Sequence, residues 1–126
     1  MRFRPEQHLR RQDDIRIVRA EGRRFDARAF TAWWRPRSLD LPPAASLPRV
    51  CVVASTAVVG HAILRNRAKR RLRELFRQHQ ALLPAGCDYM FVARAAMNQR
   101  PFPELEKLFI HACGQIASAV ASTKNA

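Results

Sequence analysis

Gly60-His61-Ala62-Ile63-Leu64-Arg65-Asn66-Arg67-Ala68-Lys69-Arg70-Arg71-Leu72-Arg73-Glu74-Leu75-Phe76-Arg77 is the stretch on which the fold turns. On a wheel of about 100° per residue, Leu64, Ala68, Leu72, Leu75 and Phe76 fall within one arc of about 120°. The opposite arc collects Asn66, Arg67, Lys69, Arg70, Arg73 and Arg77, with Glu74 among them. The spacing predicts a helix from His61 to about Gln80 that packs by one side against a sheet and presents a cationic ridge on the other. Arg65 falls between Leu72 and Phe76, and Arg71 on the other border of the apolar arc, so both are expected to run their stems past the core to its rim. An Arg70–Glu74 pair at i, i+4 would contribute about 0.3–0.5 kcal/mol, and one glutamate does not neutralise so many cations. The ridge is either a solvated face or a seat for a polyanion. Massed like charge costs folding energy, which favours RNA or DNA. Arginine outnumbers lysine here, and its planar fork pairs with phosphate and stacks on bases, which favours a structured RNA backbone over diffuse attraction.

The flanking segments read as a small sheet with its covering helices. Met1 to Gln12 is polar and basic, an irregular arm. Asp13 to Glu21 suits a short helix: the aspartates sit at its positive end, Ile15 and Val18 share a face, and Gly22 follows as a stop. From Arg23 to Arg35 the period changes to two, with Phe30, Ala32 and Trp34 on one side and Ala29, Thr31 and Trp33 on the other. Phe25 and Ala27 suit a separate strand, with a bend near Arg28. Pro36 to Pro48, which includes Pro42 and Pro43, is an exposed loop. Val50 to Ala54 reads as a buried strand and Tyr89 to Ala93 as another, with breakers at Pro84, Gly86 and Asp88. After the turn Arg100-Pro101-Phe102-Pro103, Leu105, Leu108, Phe109, Ala112, Cys113, Ile116 and Val120 form the apolar stripe of a last helix. Ser122 to Ala126 is expected to fray. The sum is one α+β domain over residues 1–126, a small sheet covered mainly on one face by helices, in the order α-β-β-β-α-β-α.

Composition narrows the partners. A chain of 126 residues with 48% hydrophobic residues supports one modest core, and a net charge of +13 points to a nucleic acid. No stretch approaches the roughly 18 continuous apolar residues of a membrane span. The opening Met1-Arg2-Phe3-Arg4 lacks the apolar run of a secretory signal, so a cytoplasmic protein is expected. Cys51, Cys87 and Cys113 lack the short spacing of a zinc or redox site and suit small buried hydrophobes in a reducing compartment. An autonomous nuclease would need clustered carboxylates or a positioned acid and base. Instead Asp13, Asp14, Glu104 and Glu106 suit helix starts, Asp40 lies in the proline loop, and His8, His61, His79 and His111 are scattered. No metal-ligating set is expected.

The quoted stretch resembles the signature helix of the bacterial ribonuclease P protein family, through its Arg65-Asn66-Arg67 core, Lys69-Arg70, Arg73-Glu74 and closing Phe76-Arg77. The resemblance extends to Gly22, Phe30 to Trp33, Arg49 to Ser55, and Asp88-Tyr89 through Arg94 to Phe102-Pro103-Glu104-Leu105, most of the chain. It implies a protein without catalytic residues of its own. A partner RNA and its bound Mg2+ ions would cleave precursor tRNA to leave the mature 5′ end, while the protein binds that RNA and the 5′ leader. Carried over by position, Arg65, Asn66, Arg67, Lys69 and Arg70, with Arg73 and Arg77 further along the ridge, would contact the catalytic RNA. Trp33, Ile15, Arg19 and Arg28 would face the leader. The resemblance also implies a left-handed crossover between the strands flanking the signature helix, where general rules favour the right-handed form. No obligate protein partner and no membrane are implied.

Three departures stand out. Ile15 and Arg19 occupy first-helix positions where the family often shows phenylalanine, leaving leader binding more dependent on charge and on Trp33. Trp33 itself reads equally as a base-stacking platform or as plain packing. Ser55-Thr56-Ala57-Val58-Val59-Gly60 lacks the family's paired lysines, and His61 replaces a commonly basic or amide residue. A ribosomal or RNA-chaperone protein would share the size and charge, and a helix-turn-helix DNA binder fits the alternating strands and proline loop poorly.

Overall fold

The period-two segment folds as a hairpin. The computed structural model describes residues 18, 22–36, 49–84 and 86–124. In it β1 spans Arg23–Asp26 and β2 Phe30–Pro36. They pair antiparallel, with Arg24 opposite Trp33 and Phe25 opposite Ala32. The bend expected near Arg28 is there: Arg28 has φ 72°, in the left-handed region that few non-glycine residues visit, and its N–H donates to the Asp26 carboxylate at 3.3 Å. Ala29 lies in this turn and is buried in the main core, not on Trp33's side as strict alternation would place it.

β3 (Arg49–Val53) is followed by α1 (Thr56–Val59), α2 (Ala62–His79), a 3-10 turn (Gln80–Leu82), β4 (Cys87–Ala93), α3 (Ala96–Gln99) and α4 (Phe102–Lys124). The strands form one mixed sheet in the order β1-β2-β4-β3. β2 runs antiparallel to β4, and β3 parallel to it. Adjacent parallel strands need a crossover, and α1 with α2 supplies it. The fold is the α+β sheet-and-helix arrangement expected. The one-turn helices α1 and α3 were not expected; Ser55, which reads only as the end of a strand, caps α1 by accepting from the Val58 N–H at 3.2 Å. The basic arm, the proline loop beyond Pro36 and most of the 13–21 helix lie outside the described residues. Val18 alone of that helix is described, helical and buried. The backbone of α4 is helical as far as Lys124.

The two sheet faces are unequal. Phe30, Ala32, Trp34, Val50, Tyr89, Phe91 and Ala93 meet Ala68, Leu72, Leu75 and Phe76 of α2 and the stripe of α4 in one core. Phe91 is its hub, with ring centroids 5.4 Å from Phe109, 5.8 Å from Phe30 and 6.3 Å from Phe76. Each such side chain contributes about 1.5–3 kcal/mol by leaving water. The other face carries a small cluster of Val18 and Met90, with Trp33, Cys51, Val53 and Val92 against it. Gly22 matters by close approach rather than as a simple helix stop: a Cβ there would lie 2.2 Å from the Val18 carbonyl oxygen and 2.7 Å from that of Trp34.

One core assignment on α2 fails. Leu64, placed in the apolar arc, is 41% exposed, and burial on that side begins at Ala68. Its side chain folds back over the elbow, where Cδ1 lies 2.8 Å from the position a Cβ on Gly60 would take. The free cysteines follow expectation in part: Cys87 and Cys113 are buried, Cys51 only partly. Burial pushes the Cys113 thiol up to about 12.

Candidate nucleic-acid interface

The flank of α2 away from the core bears the charge. Asn66, Arg67, Arg70 and Arg73 are exposed and Lys69 is half-buried. The side chains of Arg67, Lys69, Arg70 and Arg73 make no hydrogen bond or ion pair with another described residue. Arg77 behaves differently: its Nε donates to Glu74 Oε2 at 3.0 Å and its Nη2 to Oε1 at 2.5 Å. Glu74 also accepts from Gln78 at 2.8 Å. The expected Arg70–Glu74 pair is thus replaced by Glu74–Arg77, because the carboxylate meets Arg77 in a two-point grip and leaves Arg70 to solvent. The Arg77 and Gln78 hydrogen bonds hold the Glu74 carboxyl down to about 2.

The two border arginines differ. Arg71 reaches the rim as expected, donating through Nη1 to the Met97 carbonyl at 2.7 Å and the Arg100 carbonyl at 2.9 Å. Burial, then the neighbouring Arg67 charge, lowers its pKa. Arg65 is half-buried, and its Nε lies buried without a hydrogen-bond partner among the described residues. Asn98 of α3 donates to the Leu64 carbonyl at 2.9 Å. With Arg71 this pins the first half of α2 to α3.

The second surface is the face of the sheet opposite the main core. Trp33 is half-buried against the Val18–Met90 cluster, and the Arg24 guanidinium carbon stands 5.5 Å over its ring. The tryptophan therefore packs against the cluster and carries a cation over its ring. Along the same face the buried Asp88 holds Arg49 by two bonds, 2.8 Å from Nε and 2.7 Å from Nη2, and lies opposite Arg35 in the ladder. Asp26 pairs with Arg94 at 2.8 Å. Sequence reasoning missed Arg24, Arg35 and Arg49. Strand parity alone places Arg35 on Trp33's side, but Arg24 and Arg49 needed the register.

β3 is an edge strand of the sheet. Cys51, on the Trp33 side, has its pKa raised by burial, with Lys69 and Arg73 of α2 opposing that rise. Arg28 is not brought to Trp33. It lines a hollow with Phe25, Asp26, Leu108 and His111 beside α4. Ile15 and Arg19 lie outside the described residues. Among the described residues no three His, Cys, Asp or Glu side chains are grouped as metal ligands, and no helix is long and apolar enough to cross a membrane. His79 and Glu106, 3.0 Å apart, tie α2 to α4. The arrangement offers phosphate binding along a rigid helix and stacking on a sheet.

Comparison with known proteins places this geometry. The family model described as Ribonuclease P matches residues 3–117. The ribonuclease P protein component of Chloroflexus aurantiacus is 37% identical over 99 residues, covering 78% of this chain and 68% of that protein. That of Syntrophobacter fumaroxidans is 33% identical over 120 residues, covering 91% and 95%. The fold is shared with the RNase P protein from Thermotoga maritima, with a TM-score of 0.73 at 22% identity over 86% of this chain and 96% of the other. The Staphylococcus aureus RNase P protein gives 0.69 at 21% identity over 83% and 90%. On the family match and these relatives, the chain belongs to the ribonuclease P protein component family.

Proposed function

We propose that this chain docks through α2 on the catalytic RNA of ribonuclease P and guides the 5′ leader of precursor tRNA across the open sheet face. The observation that carries the proposal is the row Arg67, Lys69, Arg70 and Arg73, unneutralised by other described residues on one flank of a helix whose other flank is buried. Such a ridge pairs with phosphates and releases their counterions. Trp33 under Arg24 supplies a stacking surface that tolerates any base. In this reading the chemistry belongs to the RNA, which holds Mg2+ and supplies the hydrolytic step. In the same reading the protein's part is binding and charge. The protein works as one domain in the cytoplasm without an obligate protein partner.

Reconstituted cleavage of a leader-bearing precursor, with ribonuclease P RNA present or absent, tests the proposal. The protein should lower the Mg2+ needed by the RNA and favour precursor over mature tRNA. Equal affinity for both tRNA forms, with no effect on rate, would return the chain to the class of general RNA chaperones.

A further inference from the structure

The charged flank of α2 carries an apolar side chain at its N-terminal end. At about 100° per residue, Ile63 falls about 20° from Arg70 and about 40° from Arg67 on the wheel. It is 83% exposed, the most exposed large hydrophobic among the described residues. Val58 on α1 (55%) stands before the Gly60 elbow, and Leu64 (41%) follows Ile63 after it. Three of the five exposed large hydrophobics among the described residues therefore fall between positions 58 and 64. Single exposed apolar side chains are ordinary; a group of them marks a contact surface. The elbow is also held in shape: Asn98 grips the Leu64 carbonyl at 2.9 Å, and Ser55 caps α1.

Arginine meets phosphate, and isoleucine cannot. Structured RNA offers both kinds of surface, since its phosphates border sugar faces in a shallow groove and unstacked bases in loops and bulges. We infer that Ile63, with Val58 and Leu64 beside it, forms the non-electrostatic part of the dock. It packs on an unstacked base or ribose face of the partner RNA while Arg67 and Arg70 hold neighbouring phosphates. A second copy of this chain would bring its own net charge of +13 against the same ridge, and like charge opposes that pairing. The inference rests on the proposed reading of α2 as the RNA-docking helix.

Affinity of the full chain for ribonuclease P RNA, measured across a salt series, separates the two. Ile63→Ala should weaken binding about tenfold at every salt concentration and leave the salt slope unchanged, because buried apolar area is lost but no phosphate contact. Ile63→Val should stay within about twofold of the parent. Arg67→Ala should weaken binding and flatten the slope by about one contact. The thermal melt of Ile63→Ala should match the parent, since the side chain is 83% exposed among the described residues. If Ile63→Ala binds like the parent while Arg67→Ala does not, the inference falls and the docking helix stands. If neither change matters, both fall. A dimer seen by sedimentation and lost in Ile63→Ala, with RNA affinity intact, would assign the elbow to self-association instead.

Discussion

Glu74 decides which cations of the ridge remain available. By gripping Arg77 and Gln78 it leaves Arg67, Arg70 and Arg73 without a carboxylate partner among the described residues. Arg67→Ala or Arg70→Ala should therefore weaken RNA binding and reduce the salt slope by about one, whereas Arg77→Ala should change it less. A salt titration of binding compares the three. The pH dependence of stability follows from the same grip. The Glu74 carboxyl titrates at about 2 in the folded protein against an ordinary 4.5. A depressed carboxyl stabilises above its unfolded value, and that contribution disappears as pH falls through the folded one. Thermal melts between pH 5 and 2 should fall more steeply for the parent than for Glu74→Gln. Parallel curves would mean that the grip does not persist in solution.

At the scale of elements, α2 buries four apolar residues and not the whole arc its periodicity draws. Leu72 is fully buried, and Leu72→Ala should cost about 2–5 kcal/mol in denaturant unfolding. Leu64, drawn on the same arc, sits over the Gly60 elbow at 41% exposure, and Leu64→Ala should cost under about 1 kcal/mol. Gly60 has φ 120°, a conformation that side-chain-bearing residues rarely take. The elbow that turns α1 into α2 therefore depends on glycine at that point. The helix limits were close to readable because the 3.6 period persists for five turns, whereas α1 and α3 are too short to have a period.

For the molecule as a whole, the two surfaces divide one task if the proposed function holds. Trp33→Ala should reduce discrimination between precursor and mature tRNA, with a loss of about 1–3 kcal/mol for the stacked base, while affinity for the catalytic RNA changes little. Arg67→Ala should do the reverse. Binding assays with each RNA, run on both variants, check this, and one shared phenotype would overturn the division. The amino-acid sequence by itself determined the strands, the long helices, the placing of Phe30, Ala32 and Trp34 on one side of the sheet, and the sidedness of the arginines, because alternation and helical period are properties of neighbouring residues. Only the tertiary structure decided the order β1-β2-β4-β3, the seating of Arg24 over Trp33, the grip of Asp88 on Arg49 and the exposure of Leu64. Those depend on which distant segments meet and in what register, and no local pattern carries that information.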